Sequence, residues 1–220
     1  MKYRYKRNPW VYESLAYIPT GKYDMPIIKA TPYRQVKFDN LITFNYVNSC
    51  KNPADTWVCF YIDDYQFERI WNDTPTAIET LKKFKGVIAP DFSAYRDWPT
   101  PLKMYNVWRS KVLTWLFQEA GINVIPNVQW IDFPSYLYCF EGLPKNSVVA
   151  VSTNGCLKEK VARQLFIDGF KMMQASLTPS QIIVIGSLPD ELVDTPNIEV
   201  YSAFTAKFGK SEHNLAYKEK

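Results

Sequence analysis

The 220-residue sequence predicts an α/β protein with a mostly parallel sheet of about six strands. Two observations carry that prediction. Short apolar runs start near residues 57, 86, 122, 147, 181 and 198, and most are separated by a segment long enough for a helical crossover. The runs are unbroken rather than alternating, as in strands covered on both faces. The same pattern fits an open three-layer sheet and a curved partial barrel, and it extends over residues 56–206 of a single domain. Residues 1–55 read as an N-terminal arm and hairpin, and residues 207–220 as a disordered tail.

The first 25 residues lack periodicity and are punctuated by Pro9, Pro19 and Gly21. Gln35–Phe38 and Leu41–Val47 flank Asp39-Asn40, a pair suited to a hairpin turn. The α/β rhythm begins with Trp57–Ile62, which stops at Asp63-Asp64; Asp64 is placed to cap the helical segment 65–71. Thr74-Pro75 opens a second helix, with Thr76 and Glu79 at capping-box spacing. The strand Gly86–Ala89 ends at Pro90-Asp91-Phe92-Ser93. A loop containing Tyr95, Arg96 and Asp97 then leads to helix 102–120. Met104, Trp108, Val112, Trp115 and Leu116 make an apolar stripe on that helix, and Gly121 closes it. The strand Ile122–Ile125 exits at Asn127 and Trp130, and a short helix runs from Asp132 to Phe140. The strand Ser147–Val151 exits at Thr153-Asn154-Gly155, before helix 158–177. Strands at 181–185 and 198–201 complete the series.

Composition narrows the function. No apolar stretch approaches the ~20 residues that span a bilayer, and no signal core follows the charged N-terminus. A cytoplasmic protein of the host cell, with no membrane partner, is the expectation. The four cysteines, at 50, 59, 139 and 156, form no Cys-x-x-Cys pair and read as reduced thiols. The lone histidine, His213, lies in the tail, which excludes a core Ser-His-Asp triad or Cys-His pair and leaves no basis for Cys/His zinc sites. There is no dinucleotide fingerprint and no P-loop. The net charge of +4 is uneven: residues 1–40 carry +5, residues 205–220 carry +2, and the segment between carries −3. Lys2, Arg4, Lys6 and Arg7, interleaved with Tyr3 and Tyr5, form a basic arm suited to phosphate contact.

Four landmarks stand in order: the run Phe60–Trp71, the run Phe84–Asp97, the run Gly121–Trp130, and Ser152-Thr153-Asn154-Gly155-Cys156. Together they resemble a domain-of-unknown-function family, number 4417, found largely in phages and plasmids of Firmicutes. The resemblance covers about residues 40–202. It implies a phage or mobile-element context and carries over no catalytic residue.

In parallel α/β sheets, ligands bind outside the carboxyl ends of the strands. The exits collect Asp63 and Asp91 as catalytic candidates, with Ser93, Arg96, Asn127, Trp130, Thr153 and Asn154 as substrate-binding candidates. Asp, Asn and Ser are also ordinary turn residues, so the set matters more than any member. Asp91 stands out, because a carboxylate at the end of a buried strand is costly unless it is used or paired. Such carboxylates suit a hydrolase or transferase acting on a nucleotide, nucleoside or nucleic acid, with Mg²⁺ as the cofactor they could hold. The alternative from the same sequence is a non-catalytic module that binds DNA or a host protein.

Overall fold

The computed structural model describes residue 11 and residues 14–202. The basic arm (Lys2, Arg4, Lys6, Arg7) and the tail 207–220 lie outside the described residues.

Among the described residues there are seven strands: β1 (Leu41–Thr43), β2 (Trp57–Cys59), β3 (Gly86–Ile88), β4 (Val124–Ile125), β5 (Val148–Ser152), β6 (Gln181–Ile185) and β7 (Ile198–Tyr201). The helices are α1 (Arg69–Asn72), α2 (Thr74–Leu81), α3 (Thr100–Glu119), α4 (Tyr136–Cys139) and α5 (Lys160–Leu177). Strands β1 to β4 form one parallel sheet in chain order, and β5 to β7 form another. The residues after β4 join the two: Val128 N donates to Ala150 O at 2.8 Å, and Ala150 N donates to Pro126 O at 2.9 Å. The strands therefore run 1 to 7 in order, all parallel.

That order decides between the two architectures the sequence left open. Crossovers of one hand between neighbours taken in order put every helix on the same face. The other face can be buried only if the sheet curls onto itself. Strand alternation shows that it does. Val58, Phe60, Val87 and Val124 point outward into an apolar cluster with α1, α2 and α3. Val149, Val151, Ile182 and Val184 point outward toward α5. Trp57, Cys59, Tyr61, Ile88, Ile125, Val148, Ala150, Ile183 and Ile185 point inward and pack on one another, with Leu41 of β1 and Tyr201 of β7 at the margins. Both end strands reach the same interior, so the sheet is a partial barrel.

The hairpin expected around Asp39-Asn40 does not form. Strand β1 pairs in parallel with β2, and residues 35–38 are not a strand. They fill the gap between β1 and the far edge. Val36 N donates to Gln181 Oε1 at 2.7 Å, and Gln181 Nε2 returns a bond to Val36 O at 2.9 Å. Phe38 N donates to Tyr201 Oη at 2.8 Å, and the Phe38 ring packs against Trp57 and Tyr201. The apolar alternation of 35–38 thus reflects insertion between strands, not pairing with the next one.

Helix α3 departs from its expected stripe. It is buried over Asn106, Val107, Arg109, Ser110, Lys111, Val112 and Leu113, while Trp108 is half-buried and touches both outer clusters. Several buried polar groups here have partners: Lys111 Nζ donates to Tyr138 O and Glu141 O at 2.9 and 2.6 Å, and Thr114 Oγ1 to Ser110 O at 2.7 Å. Gly121, at φ 81°, takes the left-handed position that ends α3. The cap of α2 is Asp73, whose side chain accepts from Thr76 N, rather than a Thr76–Glu79 box.

Candidate functional site

The carboxyl ends of β2 to β5 open onto one cleft of about 850 Å³. Asp63, Asp91, Ser93, Arg96, Asn127, Trp130 and Asn154 all line it. Thr153 does not. It is buried behind the rim, where its N donates to Ile185 O at 3.0 Å and its hydroxyl occupies the space beside Gly186.

Asp91 sits half-buried at the foot of the cleft. Asn127 Nδ2 donates to Asp91 Oδ1 at 2.8 Å. Gln129, with its amide nitrogen turned to the two acceptors it faces, donates to Asp91 Oδ1 at 2.7 Å and to Phe92 O at 3.2 Å. Tyr61 Oη donates to Asn127 Oδ1 at 2.9 Å. Burial pushes the Asp91 carboxyl up from 3.8 to about 6; the Asn127 bond opposes the rise and the charge of Asp64 adds to it. Burial, with the charge of Asp91 behind it, also raises the Tyr61 phenol well above its ordinary value.

Asp63 is exposed, and among the described residues its side chain makes no cap bond to the short 3₁₀ turn Asp64–Gln66. Asp64 is not a cap either, contrary to expectation. Its carboxylate crosses to the β3 exit loop, accepting from Ser93 N at 3.1 Å and Ser93 Oγ at 2.9 Å. The Ser93 hydroxyl is therefore committed to holding that loop. Asn106 Nδ2 donates to Ser93 O, and Arg109 stacks 3.5 Å from the Phe92 ring centroid while pairing with Glu68 at 2.6 Å.

On the far wall, Trp130 packs against Phe166, and its Nε1 donates to Leu165 O at 3.2 Å. Much of its ring is thus used for packing on α5. The rim aromatic with a free edge is Tyr95, 55% exposed and packed edge-on to Trp98. Arg96 reaches Glu159 across the mouth at 3.6 Å. Glu159 caps α5, accepting from Val161 N and Ala162 N, and those two bonds, more than Arg96, hold its carboxyl below the ordinary range. Asn154 Nδ2 donates to Tyr61 O at 3.4 Å, linking the β5 exit to β2. Cys156 also lines the cleft, and burial first, then the charge of Asp91, pushes its thiol up to about 11.

The lining residues not singled out from sequence include Tyr61, Gln129, Cys156 and Glu159. The signal for two of them is the strand period. Tyr61 follows Trp57 and Cys59 at steps of two, and Gln129 follows Asn127. Charged lining side chains among the described residues are mainly acidic: Asp63, Asp91, Asp97 and Glu159 against Arg96. No group of three or more His, Cys, Asp or Glu side chains that could hold a metal occurs among the described residues. A divalent cation here would draw most of its shell from water or substrate oxygens. No helix among the described residues is long and apolar enough to cross a membrane. All four cysteines are free thiols.

The chain is similar to two mycobacteriophage proteins. It is 30% identical over 146 residues to the Gene 1 protein of Mycobacterium phage L5, covering 66% of this chain and 64% of that protein. It is 27% identical over 189 residues to the Gene 1 protein of Mycobacterium phage D29, covering 84% of this chain and 68% of that protein. The chain thus spans about two thirds of the length of these curated relatives. No solved structure matches it. The model of the family described as Domain of unknown function (DUF4417) matches residues 17–202, which take in all seven strands and every residue of the cleft, and the chain belongs to that phage-associated family.

Proposed function

We propose that the cleft is the site of a carboxylate-dependent hydrolase or transferase whose substrate is a nucleoside or a similarly neutral polar molecule. The observation that carries this reading is Asp91: a carboxyl pushed up to about 6, fixed by two amide donors, at the foot of a ligand-sized cleft. A base with that pKa is largely ionised at pH 7 yet far more basic than an ordinary aspartate. It would take the proton of a water or acceptor hydroxyl as that oxygen forms its new bond to the sugar carbon. The nucleobase leaves with the electron pair of the broken carbon–nitrogen glycosidic bond and takes a proton from solvent. In this reading Asn154 and Asp63, which line the cleft, hold sugar hydroxyls, and Tyr95 covers a ring.

Charge favours nucleosides over nucleotides. Four acids and one arginine line the cleft, and a low-dielectric concavity of one sign repels ligands of that sign. Arg96 is already paired with Glu159. Phosphorylated substrates, and the Mg²⁺ they would bring, remain the less favoured choice. Nucleic acid, if bound, would engage the basic arm rather than the cleft. The setting proposed for this activity is the cytoplasm of the phage host.

The test is chromatographic assay of purified protein against nucleosides, nucleotides and oligonucleotides. Nucleoside turnover is expected, rising with pH through about 6 as Asp91 ionises. Asp91→Asn should lower it by about 10²–10⁴-fold, the usual contribution of a general base. Turnover unchanged in that variant would refute the role of Asp91.

A second reading, a module that binds a host protein, draws on a different surface. Phe133 and Leu137 are 72% and 62% exposed, on the consecutive short turns 133–135 and 136–139. Loss of host-protein binding on Phe133→Ser, with no turnover by the wild type, would favour it.

A further inference from the structure

We propose that Oδ2 of Asp91 is the atom that takes the proton, and that Tyr61, acting through Asn127, is the positioning residue that keeps it turned to the cleft. This rests on the catalytic reading of the cleft. The geometry gives the two oxygens of Asp91 different work. Oδ1 accepts from Asn127 Nδ2 at 2.8 Å and from Gln129 Nε2 at 2.7 Å. Two N–H donors converging on one carboxylate oxygen occupy its lone pairs and leave no place for a proton. A proton arriving at Asp91 therefore forms its bond to Oδ2.

The donors are themselves fixed. Asn127 can present its nitrogen to Asp91 only while its oxygen faces elsewhere, and that oxygen accepts from Tyr61 Oη at 2.9 Å. Tyr61 is 5% exposed, with its ring in the barrel interior. Its raised phenol pKa keeps it a donor throughout the working range. Gln129 is oriented by Phe92 O, which accepts from the same amide nitrogen at 3.2 Å. The chain Tyr61–Asn127–Asp91 ties the exits of β2, β4 and β3, three strands that lie side by side. The other ionisable groups acting on Asp91 are Asp64 and Cys156, and the cleft adds Asp63, Arg96, Asp97 and Glu159. None of them is a donor to Oδ1 among the described residues.

The experiment is a pH titration of the full chain by NMR, following the Asp91 carboxyl carbon and the side-chain amides of Asn127 and Gln129. Asp91→Asn assigns the carboxyl signal. In the wild type, both amides should keep hydrogen-bonded shifts from pH 7.5 down to 4.5, because Oδ1 accepts in both states of Asp91. Asn127→Ala should raise the Asp91 midpoint by about one pH unit, since a bond that favours the ionised form is lost. Tyr61→Phe, which removes a single oxygen, should raise it by about half as much. The double variant should match Asn127→Ala alone, because Tyr61 acts only through Asn127. Amides that lose their bonds below the midpoint would place the proton on Oδ1 and overturn the assignment. A midpoint unmoved by Tyr61→Phe, or additive effects in the double variant, would remove Tyr61 from the role. If the titration behaves as stated while no substrate turns over, the catalytic reading fails and the proton assignment stands.

Discussion

At the level of single residues, Asp91 is where stability and the proposed function oppose each other. Its folded pKa of about 6 lies above the ordinary value of 3.8, so between those pH values the native state binds more protons than the unfolded one. Stability contributed by Asp91 is therefore fully present below about pH 4 and lost as pH rises through 6. At pH 7.5 the ionised carboxylate destabilises the fold by about 1–2 kcal/mol, allowing for its partial contact with solvent. Asp91→Asn keeps an oxygen for the two amide donors and carries no charge. It should stabilise the protein by about that amount at pH 7.5 and by much less at pH 4.5. Urea denaturation at both pH values measures this; equal effects at the two would mean that Asp91 is not charged at the higher pH or not shifted in the fold. The unusual setting of Asp91 was legible in sequence, because a carboxylate straight after a buried strand needs partners. The roles of Asp63 and Asp64 were not. Both follow β2, and only the reach of α3 and the β3 exit loop toward Asp64 tells them apart.

Among the elements, the β3 exit loop is held from α3 rather than by its own turns. Ser110 Oγ accepts from Phe92 N at 3.2 Å, Asn106 holds Ser93, and Arg109 covers Phe92 while pairing with Glu68. Arg109 is 8% exposed. Removing it would leave acids beside an emptied site, at a cost of about 2–4 kcal/mol for Arg109→Ala. Thermal denaturation should show that loss, and a shift within error would mean the loop is held by other contacts. Helix α5 shapes the opposite wall. A Cβ at Gly169 would meet Trp130 Nε1 at 2.1 Å and Cδ1 at 2.2 Å. Gly169→Ala must push the indole away from α5 and toward the cleft that it lines. Altered tryptophan fluorescence and weaker ligand binding are expected, with the strands intact. Unchanged fluorescence would show that α5 moves instead. The end of α3 was readable from Gly121, but the caps were not: Asp64 crosses to Ser93, Asp73 caps α2 and Glu159 caps α5. The buried polar face of α3 was not, because Lys111, Ser110 and Asn106 look solvent-facing until their acceptors on neighbouring segments are known.

Over the whole molecule, the sequence carried the parallel α/β class and the strand starts, because unbroken apolar runs spaced by helical segments have few other solutions. It did not carry curvature. Whether strands in such a series lie open or curl depends on their spatial order, and the strands here are short, three of them only three residues long. The segment 35–38 shows the same limit: its pattern is that of a strand, yet it spans the gap between barrel edges through Gln181 and Tyr201. Cysteine chemistry was legible, since Cys59 and Cys139 sit in apolar runs and burial pushes both thiols up to about 12. A thiol count under denaturing, non-reducing conditions should return four, and fewer would reveal a disulfide. The basic arm stays a separate expectation: four phosphate contacts from Lys2, Arg4, Lys6 and Arg7 would give a log–log salt slope of about −3 to −4. Deleting residues 1–7 should flatten it, and binding unchanged by the deletion would remove the arm from that role.

Convergence of four strand exits on one working cleft is tested most directly by a crystal structure of the full chain soaked with a nucleoside. The ligand is expected within hydrogen-bonding distance of Asp91 Oδ2, with its ring toward Tyr95 and its hydroxyls toward Asn154. A nucleoside bound instead at the opposite, amino-terminal edge of the strands, or on the Phe133–Leu137 surface, would contradict it.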